Sequence, residues 1–172
     1  MRLAGTFYRG HDPKWAWSPL SGEGAAIHGG RFNPKGVPAL YLGSDIIGTV
    51  NEMNHGFTGR ILPLTMCSYD VDCEPVADLS GETGRKAHGV SLEEMAAPWF
   101  LIAASGEEPP GWSLADRLAD DGHVGALVPS FAVNAEPHHK NLVLWRWGPG
   151  LPSKVTVYDP SGRLPKNALS WD

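Results

Sequence analysis

The sequence predicts a mixed α+β fold, a single compact domain with central strands and peripheral helices. Three observations predict it. Apolar runs of strand length lie near both ends of the chain, and helix-capping signals with helical spacing are confined to the middle. The length, 172 residues, suits one core that buries about 70% of the surface the unfolded chain exposes.

Each element follows in order. LAGTFYR reads as a first strand ending at Arg9 and Gly10, and HDPKWAWSPLSGEGAAIHGG is too polar and too punctuated for anything but a long loop. GRF then leads into NPKG, where Pro34 fixes φ and Gly36 permits a positive φ, and PALYLG makes a second strand, giving a hairpin-like pair. Ser44 or Asp45 caps a helix through IIGTVNEM, with Ile46, Ile47, Val50 and Met53 on one face and Glu52 pointing away from it. RILPLTMCSYDVD reads as strand. Ser91 and Glu94 form a capping box for SLEEMAAPWFLIAAS, which Pro98 interrupts, and Ser113 opens SLADRLADDG, closed by Gly122. VGALVPSFA, NLVLWRW and KVTVYD are extended, and residues 160–172 form an irregular tail to a domain spanning 1–172.

Composition narrows the function classes. With 42% hydrophobic and 19% charged residues the chain is globular rather than disordered. A net charge of -5 argues against a sequence-wide attraction to nucleic acid but leaves room for a local basic pocket that takes a phosphorylated small molecule. Cys67 and Cys73 are too few for a disulfide scaffold and match no zinc or redox spacing, which fits a reduced cytoplasmic setting. MRLAGTFYRG lacks the apolar core of a signal peptide, and MAAPWFLIAA is too short to span a bilayer, so a soluble protein without membrane contact is expected.

The densest chemistry lies between Gly29 and Met53. Gly29 and Gly30 let a ligand approach the backbone before Arg31, whose planar donor fork suits phosphate. Tyr41 offers a ring face for a planar heterocycle, and Glu52 brings a carboxylate from the following helix. Together they match a nucleotide whose glycosidic bond is broken: the phosphate is anchored, the base held, and positive charge on the sugar stabilised. Taken singly, the same residues read as a surface arginine in a turn, a strand tyrosine packed in the core and a solvated glutamate. No metal site is expected, because the side chains of His138 and His139 should point apart in an extended segment. His55 reads as a helix-end residue. Most of the seven tryptophans read as packing, with Trp15 and Trp17 in a loop that can border the pocket.

These segments resemble the RES domain toxins, a family named for arginine, glutamate and serine positions. The similarity runs through YRG at Tyr8 to Gly10, GGRFNPKGVPALYLGS at Gly29 to Ser44, NE at Asn51 and Glu52, VPS at Val128 to Ser130, and NLVLW at Asn141 to Trp145. Phe32 stands where the family commonly carries tryptophan. The resemblance implies a fold like that of ADP-ribosyltransferase toxins, NAD as the substrate whose nicotinamide-ribose bond is cleaved, and a cognate antitoxin with a helix-turn-helix DNA-binding region. It further implies that Arg9 and Arg31 hold the NAD phosphates and that Tyr41 packs on nicotinamide. Glu52 stabilises the ribosyl cation, and Ser130 adds a polar contact from the far wall. Whether ADP-ribose passes to a protein side chain of a host target, or to water or phosphate, stays open. The alternative is a non-catalytic module that binds a nucleotide or a protein.

Overall fold

The computed structural model describes residues 1–53 and 61–171. Among them, seven strands form one sheet: β1 (Leu3–His11), β2 (Leu40–Gly43), β3 (Thr65–Cys73), β4 (Val76–Asp78), β5 (Gly125–Pro129), β6 (Lys140–Leu144) and β7 (Ser153–Val157). Their spatial order is β4-β5-β6-β2-β1-β3-β7, with β4 and β5 parallel and the other neighbours antiparallel. Six helices surround it: α1 (Glu23–His28), α2 (Ile46–Met53), α3 (Glu82–Ala87), α4 (Leu92–Ala96), α5 (Trp99–Ala104) and α6 (Pro110–Asp120). No helix among the described residues is long and apolar enough to cross a membrane.

Strand alternation divides the core between the two faces of the sheet. Phe7, Leu40, Leu42, Tyr69, Leu142 and Leu144 fill one face, joined by Leu20 and Trp147. Val143, Ala126 and Val128 turn to the other, where they meet Phe32, Met95 of α4, and Leu114, Ala115 and Leu118 of α6. The spacing of those three α6 residues makes the buried stripe of an amphipathic helix. Their opposite neighbours, Asp116, Arg117 and Asp120, are exposed.

Several expected elements stand: the capping box at Ser91 and Glu94 forms in both directions, and Pro98 separates α4 from α5. Others are corrected. The expected loop after Gly10 contains a 3-10 turn at Pro13–Trp15 and the helix α1. Instead of a hairpin with GRF, β2 pairs with β6 along its length, and Gly30 makes an isolated bridge with Asn33. Residues 61–64 are irregular, and β3 starts at Thr65. Helix α6 starts at Pro110, whose fixed φ suits a first turn, so Ser113 lies inside the helix and bonds Glu108 rather than capping. β4 and α3 had no expectation. The tail carries a 3-10 turn at Ala168–Trp171, and His55 lies outside the described residues.

The largest correction concerns α2. Its apolar residues face outward: Ile46 is 51% exposed, Ile47 68% and Met53 40%. Gly48 and Thr49 are buried instead. The reason is close packing on bare backbone, since a Cβ at Gly43 would stand 2.1 Å from Thr49 Oγ1. Small residues therefore make the inner face, and Glu52, one turn beyond Gly48, shares it.

On the opposite face a buried polar network pins residues 12–22. The Tyr69 hydroxyl donates to Pro19 O (2.8 Å), so at 2.6 Å it accepts from His11 Nε2. Burial, aided by the charge of Arg9, pulls the His11 pKa down to about 4. The folded protein thus keeps His11 neutral where the unfolded chain, titrating near 6.5, binds a proton. This contribution is complete above pH 6.5 and is lost as pH falls through the interval toward 4, up to about 3 kcal/mol. His11→Gln keeps a donor without the titration. Urea unfolding at neutral pH and near pH 4 should show the wild type losing about 3 kcal/mol more than the variant.

Candidate active site

Asp45 begins the site by capping α2: its Oδ1 accepts from Gly48 N at 2.7 Å, and its carbonyl accepts from Thr49 Oγ1 at 2.7 Å. The helix so anchored carries Glu52 to the edge where β5 ends and β6 begins. There Glu52 Oε1 accepts from Ser130 Oγ at 2.5 Å and from Asn141 Nδ2 at 2.6 Å. Short bonds of this kind are those of a charged acceptor. Both donors converge on one oxygen, and Oε2 has no partner among the described residues. Tyr8, paired with Gly43 in the sheet, lies on this same face.

Arg31 is held from behind. Its Nη1 donates to Met95 O (3.0 Å) and Ala97 O (2.7 Å), and its guanidinium lies 4.7 Å from the centre of the Phe131 ring. Nη2 and Nε make no bond among the described residues. Burial lowers the Arg31 pKa, while the charge of Glu52 and, less, the nearby Tyr41 oppose that shift, which places both beside Arg31.

Tyr41 is half-buried, and its hydroxyl is fully used: it donates to Asn33 Oδ1 (2.7 Å) and accepts from Phe32 N (3.1 Å). Desolvation raises its pKa, so the hydroxyl stays protonated. The expected space beside Gly30 is occupied by the protein itself, because a Cβ there would stand 2.6 Å from both Asn33 Oδ1 and the Tyr41 hydroxyl. The Gly30 carbonyl accepts from Trp112 Nε1 at 2.8 Å. Glycine at 30 thus serves the Arg31 turn.

The structure therefore joins Glu52 to Ser130 directly and to Arg31 through charge, with Tyr41 also beside Arg31. Arg9 stands apart. Alternation along β1 puts it with Phe7 and His11 on the opposite face, where its Nη1 donates to Pro19 O (3.1 Å) and Ser21 O (2.9 Å). Burial lowers its pKa. The rings of His138 and His139 do not point apart as expected but meet at a centroid separation of 4.4 Å. No group of three or more potential metal ligands occurs among the described residues. Trp112, Trp145 and Trp147 brace loops by donating to Gly30 O, Phe32 O and Leu20 O, whereas Trp15 and Trp17 are exposed.

Asn141 and Asn33 escaped the sequence reading. Asn141 lay within NLVLW, where alternation alone separates it from Leu142. Asn33 sat in a turn motif that explained it without a buried role.

Residues 6–167 match the family described as RES domain. No curated protein matches the chain. Among solved structures it is similar to a chain in the crystal structure of the M. tuberculosis MbcT-MbcA toxin-antitoxin complex, with 21% identity, a TM-score of 0.65, and coverage of 92% of this chain and 84% of that one. At that identity the likeness speaks to the fold.

Proposed function

The chain belongs to the RES domain family, and on that premise we propose that it is the toxin of a toxin-antitoxin pair, an enzyme that cleaves the nicotinamide-ribose bond of NAD. The observation that carries this reading is the Glu52 carboxylate, fixed through one oxygen by Ser130 and Asn141 with the other unpartnered among the described residues, within the field of Arg31. In this reading the free Nη2 and Nε of Arg31 take the pyrophosphate, and the Tyr41 ring packs against nicotinamide. Nicotinamide leaves with the bonding electron pair, its ring nitrogen becoming neutral, and positive charge develops on the ribose. Glu52 stabilises that charge more than it does the bound ground state, the condition for accelerating the reaction. A nucleophile then adds to the anomeric carbon and gives up its proton. Water or phosphate as acceptor depletes NAD, and a protein side chain makes the enzyme an ADP-ribosyltransferase.

The proposed partner is a cognate antitoxin with a helix-turn-helix region that silences the enzyme, and the proposed setting is the cytoplasm. Expression in a bacterial host tests the reading: growth should stop as cellular NAD falls or a host protein gains label from NAD, and co-expression of the neighbouring antitoxin should restore growth. Normal growth, constant NAD and no labelled protein during strong soluble expression would overturn it.

Arg31→Lys tests the anchor. A single ammonium cannot hold Met95 O and Ala97 O while presenting a free fork, so NAD binding should weaken by about 1.5–3 kcal/mol, roughly ten- to a hundredfold in Kd, despite the retained charge. Calorimetry giving an unchanged Kd would remove Arg31 from the site.

A further inference from the structure

Glu52 depends on two segments meeting in register, α2 and the chain from Ser130 to Asn141, and His139 sits where they meet. It is 3% exposed. Its carbonyl accepts from Ser130 N at 2.9 Å, and Asn141 lies two residues further on, so the two donors to Glu52 leave the chain on either side of it. Its ring rests on α2 one turn before Glu52, where a Cβ at Gly48 would come within 3.2 Å of His139 Cγ. Neighbouring backbone adds a second clip: Ser44 N donates to Lys140 O at 2.8 Å, and Lys140 N donates to Ser44 Oγ at 3.1 Å.

The ring is also oriented. His139 Nδ1 accepts from Glu136 N at 3.1 Å, which leaves Nε2 as the nitrogen that can donate. Nε2 faces Asp45 Oδ1 at 3.6 Å, the same oxygen that caps α2 through Gly48 N. One nitrogen thus serves the Ser130 to Asn141 segment and the other faces the helix cap. A residue that only filled this space would need neither arrangement.

We infer that His139 is a positioning residue that, through Asp45 and Gly48, sets α2 against the Ser130 to Asn141 segment and so fixes the Glu52 carboxylate on its two donors. Its kinetic consequence rests on the NAD-cleaving reading above. Its structural consequence does not.

The test compares His139→Phe, which keeps a ring without either nitrogen, with His139→Gln, whose amide nitrogen can reach toward Asp45 as Nε2 does. In the folded phenylalanine variant kcat for nicotinamide release should fall by about tenfold or more while KM for NAD stays within about threefold, because a displaced carboxylate costs chemistry more than binding. The glutamine variant should recover part of that kcat. Independently of any turnover, the Asn141 side-chain amide resonances in a 15N-1H spectrum should move in the phenylalanine variant and in Asp45→Asn, which can still cap α2 but loses the charge facing His139. Asp45→Asn keeps the test decisive should the phenylalanine variant not fold. Unmoved Asn141 amide resonances in Asp45→Asn, or in a folded His139→Phe, would overturn the inference, as would a loss confined to KM or a glutamine variant no better than phenylalanine. A wild type that releases no nicotinamide would sink the NAD-cleaving reading and leave the resonance test standing.

Discussion

Glu52→Gln is expected to keep the protein folded and to remove nearly all nicotinamide release. The substitution is close to isosteric, and both Ser130 and Asn141 donate to Oε1, an oxygen that glutamine retains. What disappears is the negative charge beside the developing ribosyl cation. A positioned electrostatic contact of this type is worth about 2.7–4 kcal/mol, so kcat should drop about a hundred- to a thousandfold. NAD affinity should change little, because the ground-state ribose carries no such charge. Thermal unfolding and steady-state kinetics on one preparation check both halves. A folded variant with near-normal kcat would show that Glu52 acts as a hydrogen-bonded strut and not as the cation stabiliser.

The largest loss of stability is expected at Asn33. Its side chain is fully buried, with Nδ2 donating to Ala25 O (2.9 Å), Pro34 O (3.1 Å) and Val37 O (2.9 Å), and Oδ1 accepting from the Tyr41 hydroxyl (2.7 Å). Asn33→Ala strips these groups of a partner at once. The Ala25 and Pro34 carbonyls keep the amides of Gly29 and Val37, so the orphaned groups are Val37 O and the Tyr41 hydroxyl, and at about 1–3 kcal/mol each the variant should be less stable by about 2–5 kcal/mol in urea unfolding. The turn from Gly30 to Asn33 loses its anchor with it, and NAD binding through Arg31 should weaken in the surviving folded fraction. Tyr41→Phe removes only the Oδ1 and Phe32 N contacts and should cost less. If Asn33→Ala matched wild-type stability, the turn would be held by something other than this side chain.

What was legible in the sequence was local. The Ser91 and Glu94 capping box and the break at Pro98 rest on interactions spanning a few residues, and the strands at either end showed in local apolar runs, although their partner strands lie far along the chain. The orientation of α2 was not legible, because apolar periodicity takes Ile46, Ile47 and Met53 to be the buried face. The helix instead seats Gly48 and Thr49 on the bare backbone of Gly43. The site was half legible for the same reason. Arg31, Tyr41 and Glu52 fall in one continuous segment, but the donors that hold Glu52 lie 78 and 89 residues away. No spacing in the sequence brings them together. Arg9, which the resemblance puts on the NAD phosphates, is carried by alternation along β1 to the other face of the sheet, where its side chain reaches the Pro19 and Ser21 carbonyls.

The most direct measurement incubates purified wild-type protein, free of any bound antitoxin, with NAD and quantifies free nicotinamide by chromatography, with the Glu52→Gln protein alongside. The cluster of Glu52, Ser130, Asn141 and Arg31 predicts many turnovers of nicotinamide per wild-type molecule and almost none from the variant. A folded wild type that binds NAD yet releases no nicotinamide, or a variant that releases it at the wild-type rate, would contradict the account.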